Sequence, residues 1–448
     1  MALQRAGPHF RVRGWKQRIP PLSASIPGFS FPAIIPPMHH FEYSDGRLCC
    51  EEVPLQRIAE EVGTPVYVYS ERTLRRHVRV FEEAFQSIPH LVCYAVKANS
   101  NIHILRRFAK WGTGFEIVSG GELFRVIAAT GSGERVIFDG PGKTMDEIRF
   151  ALKSDILFLN VESGSEADLI VETARELGKK ARVSIRTNPN VDPKTHPYIS
   201  TGMKKHKFGV GMSEARDLYL RLKAVPEIEL VGVTCHMGSQ ITELGPFKEA
   251  LTSIGGLIAE LEENGIRLQY LDFGGGLGIS YNGEEPPSPA CYAAAIIQAT
   301  RNLGLTVVLE PGRVIVGNAG VLLTRVVVRK NQGEKCFVIV DAGMNDLIRP
   351  PLYGSYHNIW PVQENSTREI ADVVGPICES TDFIAQDREL PVFAKGDLMA
   401  VMSAGAYGFS LASNYNSRRR LAEVLVTGDT YEVIGRRETY DDLIRLEI

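Results

Sequence analysis

Cysteine is scarce in this chain, with seven residues in 448. A disulfide-stapled scaffold is excluded by that count, and a reducing compartment, the cytoplasm, is the simpler setting. No run of about 18 apolar residues occurs, so no helix is predicted to cross a membrane. Neither charge sign is in excess, since 50 Lys and Arg stand against 53 Asp and Glu. Nucleic acid binding therefore has no basic signal, and there is no acidic tail. Acidic residues are missing altogether from residues 1–37, which hold seven prolines beside Arg5, Arg11, Arg13, Lys16 and Arg18. The prolines forbid a continuous helix. Residues 1–37 read as a disordered extension, or as sequence ahead of a true start at Met38. Organellar targeting is the alternative, and the proline load speaks against the amphipathic helix it would need. The rest is ordinary globular composition, 44% hydrophobic and 23% charged.

From residue 66 onwards, apolar runs rich in β-formers alternate with helical stretches. The runs are 91–96, 115–118, 135–138, 156–159, 182–187, 230–235, 270–273 and 306–309. Amphipathic segments such as 122–129, 166–177 and 246–264 lie between them. Buried strands spaced by helices imply right-handed βαβ units. Eight of them over about 250 residues is the size of a (β/α)8 TIM barrel, assigned to residues 66–313. A doubly wound sheet is the alternative, though it rarely needs eight such regular units. After Arg313 the helical periodicity fades, and residues 314–448 read as a second, mostly β domain with strands at 319–329, 335–340, 398–402 and 423–434. Residues 38–65 are expected to pair with that domain.

In such a barrel the chemistry sits at the C-terminal ends of the strands. Strand one ends in Lys97, strand five near Arg186, strand six in His236, strand seven in Gly274-Gly-Gly276, and strand eight in Glu310-Pro-Gly-Arg313. A lysine closing an apolar strand is costly unless paired or neutralised; desolvation lowers its pKa, and a neutral amine is what imine formation requires. Its stem can equally lie along the rim with the ammonium in water. Consecutive glycines after strand seven suit a phosphate, and equally a tight turn. They are not a dinucleotide fingerprint, because Ile279 stands where the third glycine belongs. Gly140-Pro-Gly-Lys-Thr144 is likewise no P-loop, since Ile137 occupies the first glycine position. His236 has no second ligand at metal spacing, Cys49-Cys50 point to opposite faces of a strand, and no metal is expected. No G-x-S-x-G elbow supports a hydrolase. Glu310 needs a partner, either Arg313 or a protonated heterocyclic nitrogen. Lysine, glycine loop, histidine and carboxylate together are the parts that hold pyridoxal phosphate.

Tyr94-Ala-Val-Lys97, Val118-Ser-Gly-Gly-Glu122, His236-Met-Gly-Ser-Gln240, Gly274–Gly278, Glu310–Arg313 and Gly375-Pro-Ile-Cys-Glu379 occur in one order, and over residues 40–445 the chain resembles the diaminopimelate decarboxylases, with their alanine racemase-like fold. The resemblance implies pyridoxal 5'-phosphate held by Lys97 as an imine, with His236 stacked on its ring and Glu310 at its nitrogen. Ser239, Gly274, Gly275 and Gly276 and the backbone of Glu310, Pro311, Gly312 and Arg313 would surround the phosphate, and Tyr407 would also reach the cofactor. Cys378 would donate a proton to the α-carbon. Diaminopimelate carries both an ammonium and a carboxylate at its far end, so a matched site needs both charges. Arg349 offers a bidentate fork and Glu379 the anion, with Arg313, Tyr353 and Tyr407 completing the pocket. The implied reaction is decarboxylation of meso-2,6-diaminopimelate to L-lysine, the last step of lysine biosynthesis, in a homodimer with shared sites. An ornithine- or arginine-type decarboxylase is the runner-up. A non-catalytic cofactor-binding protein would tend to lack the second domain with its Cys378-Glu379 pair, and a racemase would want a tyrosine base in place of Cys378. Phe115-Glu116 stands where the family usually has Ala-Asp, which leaves the contacts of Glu116 open.

Overall fold

The computed structural model describes residues 38–189, 191 and 207–447; the readings made for residues 1–37 lie outside them. Eight parallel strands close into a barrel: His90–Ala95, Gly114–Ile117, Val136–Phe138, Phe158–Val161, Ala181–Asn188, Ile228–Thr234, Tyr270–Asp272 and Thr306–Leu309. The circle closes because the eighth strand pairs with the first and the fourth with the fifth. Every strand lies within two residues of its predicted start, because strands buried on both faces read as unbroken apolar runs.

Several of the crossover helices begin where short polar side chains cap them. Ser119 accepts from the Glu122 N–H and Ser163 from that of Glu166. Thr144 and Glu147 form a reciprocal capping box, which is the use the sequence makes of its false P-loop. Lys143 in the same loop is buried and donates to Gly140 O, Asn160 O and Glu166, a structural role.

Because side chains alternate along a strand, inward residues recur at every second position. Cys93, Ile137, Phe158 and Val308 pack with Val231 in one buried cluster. Two residues further along lie Asp139, Asn160 and Glu310. They belong to a polar layer in which Thr234 donates to Asn160 Oδ1 at 2.6 Å and Asn160 donates to Asp272 at 3.3 Å. The apolar layer carries packing energy, and the polar layer above it is the base of a site.

The second part is a sheet in the order Phe383–Pro391, Arg368–Val374, Lys335–Val340, Gly320–Gln332, Val66–Ser70, Ala422–Thr427, Thr430–Gly435. Val66–Ser70, assigned to the barrel's start by sequence, sits in this sheet, hydrogen bonded to Gly320–Gln332 and Ala422–Thr427. All five of its residues are buried, and an unbroken apolar strand does not declare which sheet will cover it. Arg368–Val374 and Phe383–Pro391 escape the sequence reading because exposed charges interrupt their apolar positions. Residues 41–54 form a three-stranded sheet that packs on the larger one, and Arg47 is bridged to Gln363, two residues beyond the strand Ile359–Pro361.

Candidate active site

Lys97 follows the first barrel strand in a turn over Val96–Ala98. The parallel register sets Ala95 beside Glu116, so the glutamate's side chain rises next to the lysine. Lys97 Nζ donates to both oxygens, at 2.6 and 2.7 Å. Burial by itself lowers the lysine, but Glu116, Glu310, Tyr407 and Asp139 outweigh it and hold the amine above its ordinary value. In the cofactor-free chain Lys97 is therefore an ammonium. The neutral amine expected from desolvation alone does not form here, because the carboxyl groups of Glu116, Asp139 and Glu310 share the space, Glu116 foremost. Glu116, Asp139 and Glu310 each place an oxygen within 4.8 Å of the others.

Arg186, at the predicted end of strand five, answers part of that charge. Its Nη1 donates to Asp139 at 2.7 Å and to Glu162 at 2.9 Å. Burial would raise Asp139, yet Arg186 and the nearby lysines hold it down to about 2. Glu310 has no such answer. It is buried, both its oxygens lack a hydrogen-bond partner among the described residues, and burial with Asp272, Glu116 and Asp139 pushes its carboxyl well up. A buried carboxyl in such company keeps its proton rather than standing as an unpaired charge.

His236 lies 3.9 Å from Glu310. Burial, Arg186 and Lys97 hold it down to about 3, so the ring is neutral. Its Nδ1 accepts from the Gly275 N–H at 3.2 Å, which leaves the ring proton on Nε2. The glycine run makes this approach possible. Gly274 has φ +65°, and a Cβ there would sit 2.4 Å from His236 Nδ1; one on Gly275 would sit 2.3 Å from Glu310 O. The sixth, seventh and eighth strand ends are thus packed backbone against side chain.

A cavity of about 450 Å³ opens above these groups. Among its walls are Lys97, His236, Ser239, Gly276 and Glu310. Gly312, Arg313, Arg349, Tyr353 and Tyr407 continue around it. Gly274, Gly275 and Pro311 lie behind, beside Phe81 and Tyr292. Arg313 donates to Ser239 Oγ at 3.1 Å, and its guanidinium lies 4.9 Å from the Tyr407 ring centre. Arg349, on the short helix Arg349–Tyr353, reaches the same cavity from the second part of the molecule. Cys378 and Glu379 are not in its walls. Cys378 is exposed, with its N–H donating to Asn416 Oδ1 at 2.7 Å, and Glu379 lies 3.5 Å from the Tyr415 hydroxyl. Sequence reasoning left Glu116 without contacts and missed Asp139, Asp272 and Tyr281. The first three recur at inward strand positions, a signal that was available once the strands were aligned.

The cavity's residues fit pyridoxal phosphate. Glu310 lacks a partner that a ring nitrogen would supply, the neutral His236 offers a flat face, and the glycines leave backbone exposed with no room for side chains. Comparison with known proteins agrees. Residues 71–317 match the pyridoxal-dependent decarboxylase, pyridoxal binding domain. A diaminopimelate decarboxylase of Haemophilus influenzae is 50% identical over 413 residues, covering 92% of this chain and 99% of that protein. The crystal structure of diaminopimelate decarboxylase from Helicobacter pylori, complexed with L-lysine, is 45% identical with TM-score 0.85, over 88% of this chain and 99% of that one. Its counterpart from m. jannaschii, also in complex with L-lysine, is 39% identical with TM-score 0.87, over 91% of this chain and 97% of that one. This chain belongs to the diaminopimelate decarboxylase family of pyridoxal-dependent decarboxylases.

Proposed function

We propose that the cavity decarboxylates meso-2,6-diaminopimelate to L-lysine, with the roles that follow. When bound, pyridoxal 5'-phosphate supplies an electron sink for the carbanion left by loss of CO2. Lys97 is the residue that would hold it covalently, and Glu116 stands ready to keep the released amine protonated. Glu310 would share its proton with the ring nitrogen, since its carboxyl lines the cavity with no hydrogen-bond partner among the described residues. Neutral His236 would lie against the ring. Ser239, the Gly274–Gly276 loop and the Glu310–Arg313 backbone would take the phosphate.

The observation that carries the choice of substrate is the pair of buried guanidiniums facing the cavity. Arg313 and Arg349 have phenol and hydroxyl partners but no carboxylate among the described residues. A substrate whose far end carries a carboxylate would complete them, whereas ornithine would bring a second cation. The lysine bound in the related H. pylori and m. jannaschii enzymes carries such a carboxylate. Tyr353 and Tyr407 would complete the substrate's walls.

Cys378 and Glu379 would come from the partner subunit of a homodimer, the cysteine delivering a proton to the substrate's α-carbon and the glutamate meeting its far ammonium. Their exposure on this chain, with the exposed Tyr415 next to Glu379, supports that arrangement. On this reading the barrel brings the cofactor and the β domain brings substrate recognition. All seven cysteines are free, which supports a cytoplasmic setting, and no described helix is long and apolar enough to cross a membrane. The direct test is incubation with meso-diaminopimelate and pyridoxal phosphate, expecting CO2 and lysine. Turnover of ornithine equal to or better than that of diaminopimelate would overturn the substrate assignment.

A further inference from the structure

Tyr281 stands between the two arginines and has no role in the reaction as described so far. Its phenol oxygen accepts from Arg313 Nη1 at 2.9 Å and from Arg349 Nη1 at 2.6 Å. The residue is 6% exposed and lines the cavity. No described group accepts a proton from that oxygen. Nor does either guanidinium have an acid to balance it among the described residues: their remaining partners there are Ser239 and Ser355, and the Nε of each has none. Two buried cations therefore converge on one oxygen that gives its proton to nothing. A phenol in that position wastes a donor and leaves two charges unanswered, whereas a phenolate accepts both bonds and halves the charge.

We propose that Tyr281 is the pocket's own stand-in for the substrate carboxylate, a phenolate held between Arg313 and Arg349 that takes up one proton when a carboxylate arrives to replace it. The proposal rests on the reading that Arg349 receives the carboxylate of the substrate's far end. Charge balances: the incoming carboxylate brings one negative charge, the phenolate loses one by protonation from solvent, and the new hydroxyl can donate to the arriving oxygen. Tyr281 is thus a positioning residue, keeping two like charges at binding distance in the empty site.

The surroundings agree. Burial raises the phenol, but Arg313 and Arg349 outweigh it and leave the group below its ordinary value. His357 meets the Tyr281 ring edge-on at 5.3 Å; burial and the two arginines hold it down to about 3, so it adds no charge. Glu284 is spent on the backbone N–H groups of Tyr281 and Asn282. Tyr353 and Tyr407 share the cavity and face Arg313. Asn358 donates to the Tyr281 carbonyl at 3.3 Å, which fixes the backbone without reaching the phenol.

The test uses the holoenzyme and L-lysine, which keeps the carboxylate of the far end. Titration calorimetry at about pH 8, in buffers of different ionisation enthalpy, counts protons taken up on binding. The wild type should take up about one proton per site more than Tyr281→Phe, and its affinity should fall toward tenfold per pH unit relative to that variant. Cadaverine, which lacks the carboxylate, should show no such difference. In wild-type enzyme labelled at tyrosine Cζ, one phenolate carbon signal should vanish on addition of lysine; this needs no variant to fold. Equal proton uptake in wild type and variant, or no phenolate signal at about pH 8, overturns the assignment of Tyr281. If Arg349→Ala leaves lysine affinity unchanged, the underlying reading of the carboxylate site falls instead.

Discussion

Replacing Glu310 by glutamine should make the cofactor-free protein more stable and the loaded enzyme nearly inactive. In the wild type its carboxyl is buried among Asp272, Glu116 and Asp139 with no hydrogen-bond partner among the described residues, and is pushed well above 4.5. Below about pH 4.5 the folded and unfolded chains both carry the proton, and the group contributes nothing. Above it the unfolded chain releases a proton that the folded chain retains. The wild type therefore loses stability as pH rises through that window. Asp272, pushed by burial from 3.8 up to about 6, adds a loss of the same sign between those values. A glutamine at 310 cannot ionise, so its advantage should be absent near pH 4.5 and grow toward neutrality. Each pH unit over which the unfolded chain has ionised while the folded chain keeps its proton is worth about 1.4 kcal/mol, so an advantage on the order of 1–3 kcal/mol builds toward neutrality. In a chain of this size that is a rise of about 1–4 °C in melting temperature. Without a carboxylate at the ring nitrogen, kcat/KM should fall by roughly 10²–10³. Thermal unfolding of the cofactor-free proteins at about pH 5 and about pH 8, with the decarboxylation rate beside it, measures both halves. A variant that melts lower than the wild type at the higher pH, or that keeps its activity within a few-fold, would refute the reasoning.

Arg349→Ala should lower kcat/KM for diaminopimelate at least tenfold while leaving the cofactor absorbance unchanged, since a charge-assisted contact is worth roughly 1.5–3 kcal/mol. Lys97→Ala and Cys378→Ala should each be nearly inactive alone. Mixed after mild dissociation, they should recover about a quarter of wild-type activity, because roughly half the dimers are mixed and each then has one intact site of two. No recovery despite demonstrated subunit exchange would count against a shared site. A chain beginning at Met38 should decarboxylate at the wild-type rate, and loss of activity there would make residues 1–37 part of the working enzyme.

The barrel was legible because its physics is local. A strand covered on both faces must be apolar along its length, and helices between strands need an amphipathic stripe and a cap. Both leave marks within ten or fifteen residues, and the strand ends then named Lys97, His236 and Glu310 directly. The strand Val66–Ser70 carries the same apolar signature, yet its place beside Gly320–Gln332 depends on partners some 250 residues away. The contacts that decide the chemistry are of that second kind. Glu116 reaches Lys97 because neighbouring strands pair in one register, and Arg186 finds Asp139 and Glu162 across two more. Tyr281 lies between Arg313 and Arg349 because the second sheet brings the helix Arg349–Tyr353 to the barrel mouth. Residue types and their order settle which groups are present at the strand ends. How each is charged depends on burial and on neighbours brought in by pairing, which is why Lys97 is an ammonium, His236 neutral and Glu310 without a partner.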